Sequence, residues 1–259
     1  MKILFLGDVV GRPARDYLKD SLPSLIDQEA FDWVIVNCEN AAGGSGLTEK
    51  VAKELFSSGI DIITTGDHAF KKKEILSILD TMDVLRPLNY GELTRGQGFI
   101  IKEKKGKKIC VANLLGRVFM QPVDCPFKAV SGILKEVLDE TKVLIVDIHA
   151  EATSEKLALA YYLAGKASAV IGTHTHIPTA DERIIDKFTA YITDAGMTGS
   201  FDSILGRKKE DIIERFLTNI PTRFNLAQDD VRMQGVILEI DEASGRALSI
   251  KRVEYRKEG

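Results

Sequence analysis

Short β-branched runs alternate with longer amphipathic segments along the chain. The runs at 2–7, 33–38, 61–65, 108–114, 143–148, 167–172 and 189–193 are almost continuously apolar, the pattern of strands covered on both faces. Helical spacing fills the intervals at 15–29, 48–58, 71–82, 127–140 and 154–163. Thr48, followed by Glu49, reads as a helix start, and Gly59 and Gly165 read as helix ends. This β-α-β-α order predicts a layered α/β domain with helices outside a sheet. Two regions depart from the alternation. The polar stretch 102–107 lies between runs at 98–101 and 108–112, and 241–246 lies between 232–240 and 247–255; both predict hairpins. Residues 206–216 (GRKKEDIIERF) read as a basic loop and an amphipathic helix.

Length and composition narrow the class. At about 150 residues per domain, 259 residues allow one or two domains. No Pro- or Ser-rich linker interrupts the chain, which favours a single domain over 1–259. With 44% hydrophobic and 28% charged residues, disorder, collagen and low-complexity classes are excluded. No apolar run approaches the roughly 20 residues needed to cross a bilayer. The apolar start stops at Gly7-Asp8, too short for a signal-peptide core. Three cysteines, Cys38, Cys110 and Cys125, are too few and scattered for a disulfide framework or thiolate metal site. These features fit a cytoplasmic protein. A net charge of −3 argues against bulk binding to nucleic acid or membrane, leaving local basic patches open.

The chemistry gathers at strand ends. The chain has four histidines, His68, His149, His174 and His176, and each follows an apolar run. Asp8 follows ILFLG, and Glu39-Asn40 follow WVIVNC. In open α/β sheets, residues beyond the carboxyl ends of strands converge on one crevice. The i, i+2 spacing of His174 and His176 predicts an extended segment with both rings on one side. Imidazole and carboxylate donors together suit Mn, Fe, Zn, Co or Ni. Six or seven such groups exceed one tetrahedral site and fit a two-metal centre, which typically clamps the oxygens of a phosphate displacement. The competing reading is a set of merely structural histidines. Other features stay open: GGSGLT (43–48) as a phosphate-facing loop or a flexible turn, the lysines of 102–108 as phosphate contacts or a solvated turn, and Cys38 as a buried thiol or a nucleophile. Ser45 has no nearby histidine in sequence to activate it.

GDVVGRPAR (7–15), NCENAAGGSGLT (37–48), HAEATSEK (149–156), GTHTHIPTAD (172–181), YITDAGMTG (191–199) and DSILG (202–206) resemble the YmdB family of bacterial metallophosphoesterases, nearly end to end. The resemblance implies the calcineurin-like four-layered α-β-β-α sandwich, a dinuclear metal centre and hydrolysis of 2′,3′-cyclic nucleotides. It implies two divalent transition-metal ions, Fe or Mn ahead of Zn or Mg. By the same resemblance Asp8 and His176 serve one metal, Glu39 bridges, His149 and His174 serve the other, Asn40 is a metal-proximal amide, a metal-activated hydroxide attacks, and His68 protonates the leaving oxygen. One position departs. The family motif GNH, whose asparagine binds the second metal, is GDH here, with Asp67; an aspartate still offers oxygen but adds negative charge. The following AFKKKE (69–74) also lacks an aspartate often found there. Asp67 therefore sustains an alternative: a regulatory protein that binds nucleotide or RNA with little turnover. The expected partners are a small cyclic-nucleotide phosphodiester, with RNA and a second copy of the chain left open and no membrane.

Overall fold

The computed structural model describes residues 1–256. In chain order the elements are β1 (Lys2–Leu6), β2 (Asp8–Val9), α1 (Gly11–Glu29), β3 (Trp33–Asn37), α2 (Glu49–Ser57), β4 (Ile62–Thr64), β5 (Phe99–Lys104), β6 (Lys107–Leu115), α3 (Pro126–Glu140), β7 (Leu144–His149), α4 (Thr153–Tyr162), β8 (Ala169–Thr173), β9 (Arg183–Ile185), β10 (Thr189–Ile192), β11 (Met197–Ser200), α5 (Lys209–Thr218), β12 (Val231–Ile240) and β13 (Ala247–Arg256). They form two sheets. One runs β2-β11-β12-β1-β3-β4, with β13 paired to β12; the other runs β5-β6-β7-β8-β10-β9. The strands β1, β3 and β4 are parallel, as are β6, β7, β8 and β10.

Three hydrophobic layers show how the elements stack. The alternate residues Ile3, Phe5, Trp33 and Ile35 of the first sheet meet Ile109, Val111, Ile145 and Ile171 of the second. The opposite faces turn outward onto helices: Leu4, Leu6, Val34 and Val36 pack with Leu18 and Leu22 of α1 and Leu55 of α2. Cys110, Ala112, Leu144 and Val146 pack with Val130 and Val137 of α3 and Leu159 of α4. Helix, sheet, sheet, helix is the four-layered sandwich that the family resemblance implied, with two sheets in place of one central sheet. Both arrangements bury both faces of each strand, so apolar runs alone cannot separate them.

Both hairpins form, as β5–β6 and β12–β13. Thr48 caps α2, its hydroxyl accepting from Val51 N at 3.4 Å. The helix expected over 71–82 is instead one 3₁₀ turn, Lys73–Ser77, followed by irregular turns. Its start is a lysine run without a side-chain cap, and only Ile75, Ile78 and Leu79 anchor it in the core. The brief strands β2, β9 and β11 are too short for periodicity to announce. Four of the five lysines of the β5–β6 hairpin are paired, Lys102 with Asp83, Lys104 with Asp61, Lys107 with Asp32 and Lys108 with Glu140. That pairing makes the cluster a compensated surface rather than a free cationic patch. Cys38 is buried, and burial pushes its thiol well up, against a nucleophilic role. Among the described residues no helix is long and apolar enough to cross a membrane.

Candidate metal centre

The site lies across the seam between the sheets. The first sheet delivers Asp8 at the start of β2, Glu39 and Asn40 after β3, and Asp67 and His68 after β4. The second delivers His149 as the last residue of β7, and His174 and His176 after β8. All eight residues singled out in the sequence therefore meet. Gly66 lets the two sides close, because a Cβ there would run into His149 Cδ2 and Glu39 Oε2.

Four of them form a tight group. One ligand atom each from Glu39, Asp67, His149 and His174 lies within 4.8 Å of the others. His149 Nε2 is 3.2 Å from Glu39 Oε2 and 3.2 Å from Asp67 Oδ1. His174 Nδ1 is 3.0 Å from His149 Nε2 and 3.5 Å from Asp67 Oδ1. Asp8 and His176 stand beside this group, His176 Nε2 being 3.7 Å from Asp8 Oδ1. Asn40 Nδ2 is 3.0 Å from Glu39 Oε1 and 3.2 Å from His176 Nε2. His68 Nδ1 faces Asn40 Oδ1 at 3.0 Å and Glu39 Oε1 at 3.1 Å.

The segment carrying His174 and His176 is not extended. Both histidines have left-handed backbone, with φ of 99° and 62°. The loop wraps two carboxylates: His174 N donates to Asp8 Oδ2 at 3.1 Å, and Thr175 N to Asp194 Oδ2 at 3.0 Å. Asp194 in turn pairs with Lys156 Nζ at 2.9 Å, and that amine also donates to Thr173 O at 2.7 Å. Both side chains are fully buried.

A polar layer beneath the site fixes ring orientation. Asp147 accepts from Thr64 Oγ1 at 2.5 Å, Thr173 Oγ1 at 2.7 Å and Asn37 Nδ2 at 3.0 Å. Thr173 has one hydroxyl proton; given to Asp147, it leaves the oxygen to accept from His149 Nδ1 at 2.9 Å. That hydrogen bond puts the proton on Nδ1 and the lone pair on Nε2, which faces the cluster. Glu151 Oε2, 3.3 Å from His174 Nε2, orients that ring likewise, with Nδ1 inward. Asn37, Asp147, Thr173, Lys156 and Asp194 are site-building residues that sequence reasoning missed. Their signal was faint: Asp147 is an acid within the apolar run VLIVDIH, and Lys156 and Asp194 lie in motifs noted for other residues.

The electrostatics ask for a cation. Asp8 Oδ1 and His176 Nδ1 are buried without a hydrogen-bond partner. Burial raises the Asp8 carboxyl. Burial would raise Glu39 as well, yet the His149 charge and hydrogen bonds from His149 and His68 hold it well below the usual range. Asp67 is lowered too: hydrogen bonds to His149 and His174 outweigh burial. Burial works to lower His149, but Glu39 and Asp67 drive it well above its ordinary value. Burying uncompensated carboxylates is expensive unless they are paired or bind metal. Mixed imidazole and carboxylate donors, with free lone pairs converging, fit a transition-metal ion.

The chain is similar to known proteins over nearly its whole length. The family profile described as "YmdB-like protein" matches residues 4–253. The chain is 48% identical, over 254 residues, to the 2′,3′-cyclic-nucleotide 2′-phosphodiesterase of Bacillus subtilis (strain 168), covering 98% of this chain and 96% of that one. It superposes with a TM-score of 0.94 on a crystal structure of a hypothetical protein from Thermus thermophilus, at 41% identity and 100% coverage of both. The NAD nucleotidase of Haemophilus influenzae shares the fold alone, with a TM-score of 0.58 at 10% identity, over 99% of this chain and 56% of that one.

Proposed function

The chain belongs to the YmdB-like protein family, and from that premise we propose that it is a metal-dependent phosphodiesterase hydrolysing 2′,3′-cyclic nucleotides, residues 1–259 acting as one domain. The observation that carries this reading is the four-donor group of Glu39, Asp67, His149 and His174. The activity named for the Bacillus subtilis relative supplies the substrate class. Asp8 and His176 would hold one ion, His149, His174 and Asp67 a second, with Glu39 shared and Asn40 alongside; Fe or Mn is the expected pair. When bound, such ions stabilise charge on phosphoryl oxygens and lower the pKa of an attacking water.

The chain's own residues do the rest. Thr173 and Glu151 hold the lone pairs of His149 and His174 inward. Hydrogen bonding to Glu39, against burial, raises the His68 pKa, which favours an imidazolium near neutral pH. With Nδ1 held by Glu39 and Asn40, Nε2, 3.6 Å from Asp67 Oδ2, is the nitrogen that would protonate the departing ribose oxygen. General acids contribute typically about 10²–10⁴-fold.

The test is an assay of 2′,3′-cyclic AMP with added manganese, alongside metal analysis of untagged protein. His68→Ala is expected to lose roughly 10²–10⁴ in rate while retaining its metal. Full rate in that variant removes His68 as the acid. Tight nucleotide binding without product at full metal occupancy favours the regulatory alternative that Asp67 raises.

A further inference from the structure

The loop after β6 is built in a way its own packing does not explain. Leu115 is in register with His149, so the chain leaves β6 level with the metal cluster. Gly116 N donates to His149 O at 2.9 Å, and a Cβ on Gly116 would press on Ala150 and Glu155 Oε2. The next two amides, Arg117 N and Val118 N, donate to the Glu155 carboxylate at 2.9 and 3.2 Å. Met120 N then donates back to Arg117 O at 3.3 Å, closing a tight turn. Downstream, Gln121 Nε2 donates to the Tyr90 hydroxyl at 2.5 Å, and that hydroxyl donates to Gly66 O at 3.4 Å, one residue before Asp67.

Phe119 sits at the third position of the turn with φ of 61°. Glycine ordinarily takes a positive-φ turn position, and a bulky residue there is strained by about 1–3 kcal/mol. Its side chain is 89% exposed, so no burial offsets the strain, whereas the Glu155 that holds the turn is 8% exposed. A buried carboxylate thus fixes a strained loop that holds an aromatic ring out in water, four residues beyond Leu115, which is in register with the cluster residue His149. Strain that no burial of the ring repays points to a ligand.

We propose that Phe119 is a nucleobase platform, stacking on the base of a nucleotide whose phosphate lies at the metal cluster, and that Glu155 is the positioning residue that holds it there. This rests on the cyclic-nucleotide reading of the site. Stacking accepts every base because every base has a π-face, so the platform would take nucleotides without hydrogen-bond selection among bases.

The test compares 2′,3′-cyclic AMP with glycerol 1,2-cyclic phosphate, which has the strained ring but no base. Phe119→Ala is expected to raise KM about tenfold for the nucleotide and by less than about twofold for the glycerol compound. Glu155→Gln is expected to raise the nucleotide KM in the same selective way, with Phe119→Tyr restoring what Phe119→Ala loses. Equal effects on both substrates, or none, overturn the platform. A second readout does not need turnover. The chain has one tryptophan, Trp33, 1% exposed in the core. In manganese-loaded Phe119→Trp protein the new, exposed indole is expected to be quenched by guanosine 3′-monophosphate but not by ribose 5-phosphate. If no cyclic phosphate is hydrolysed, the functional reading fails, and this quenching alone decides the platform: present, it stands; absent, it falls.

Discussion

Asp67 stands where the family resemblance implies asparagine, and the difference is one negative charge set against two imidazoles. Its Oδ1 lies 3.2 Å from His149 Nε2 and 3.5 Å from His174 Nδ1. Asp67→Asn keeps an oxygen of similar reach and removes the charge. The dissociation constant for manganese is expected to rise about tenfold, equivalent to about 1.4 kcal/mol, while KM for an anionic phosphodiester falls. Calorimetric metal titration and steady-state kinetics read the two effects separately. Unchanged metal affinity would remove Asp67 from the ligand set. At this scale the sequence was informative because each histidine ends an apolar run, where a polar ring has no reason to sit unless strand ends converge. Asp147, Asn37 and Thr173 were not legible, because their role is to orient a ring through a hydrogen bond, and that depends on which strands become neighbours. The i, i+2 histidines show the same limit: spacing brought both rings to the site, but carboxylates from Asp8 and Asp194 bent the backbone between them.

The first turn of α4 sets the loops on two sides of the site. Glu155 faces the turn after β6, and Lys156 reaches through the core to Thr173 O and Asp194. Removing one partner of a buried ion pair typically costs about 3–5 kcal/mol, because the other charge is left uncompensated. Lys156→Met is therefore expected to lose stability of that order in urea denaturation. The double variant Lys156→Met, Asp194→Asn should recover part of it. A loss below about 1 kcal/mol in the single variant would mean that Asp194 finds another partner and that the pair does not brace the histidine loop. The sequence pattern located α4 but could not assign its charges, because Glu155 and Lys156 look like ordinary solvent-facing helix residues. The failed helix over 71–82 errs the other way: apolar spacing suited a helix, but an uncapped lysine start and three core anchors sustain only a 3₁₀ turn.

The ligand-type residues divide between the sheets: Asp8, Glu39 and Asp67 come from one, His149, His174 and His176 from the other. A cation there joins the two halves of the sandwich at their shared edge, so metal should stabilise the whole molecule. At a free concentration about 100 times the dissociation constant, binding adds about 2.7 kcal/mol, and at about 2–4 °C per kcal/mol for this size Tm rises by roughly 5–10 °C. The pH dependence follows from the proton that the metal replaces. His149 has a raised folded pKa, so its contribution to metal-free stability is complete below its ordinary value of 6.5 and is lost as pH rises toward the folded value. Glu39 and Asp67 have lowered folded pKa values, so their contributions are present above 4.5 and 3.8 and persist through neutral pH. Between pH 6 and pH 8 the metal-free protein therefore weakens through His149. Over the same range the metal, which needs that imidazole neutral, binds more tightly. The increment in Tm on adding manganese to chelator-treated protein should be larger at pH 8 than at pH 6. Scanning calorimetry at the two pH values checks this, and an increment that is absent, or that shrinks toward pH 8, contradicts a metal joining the sheets through His149.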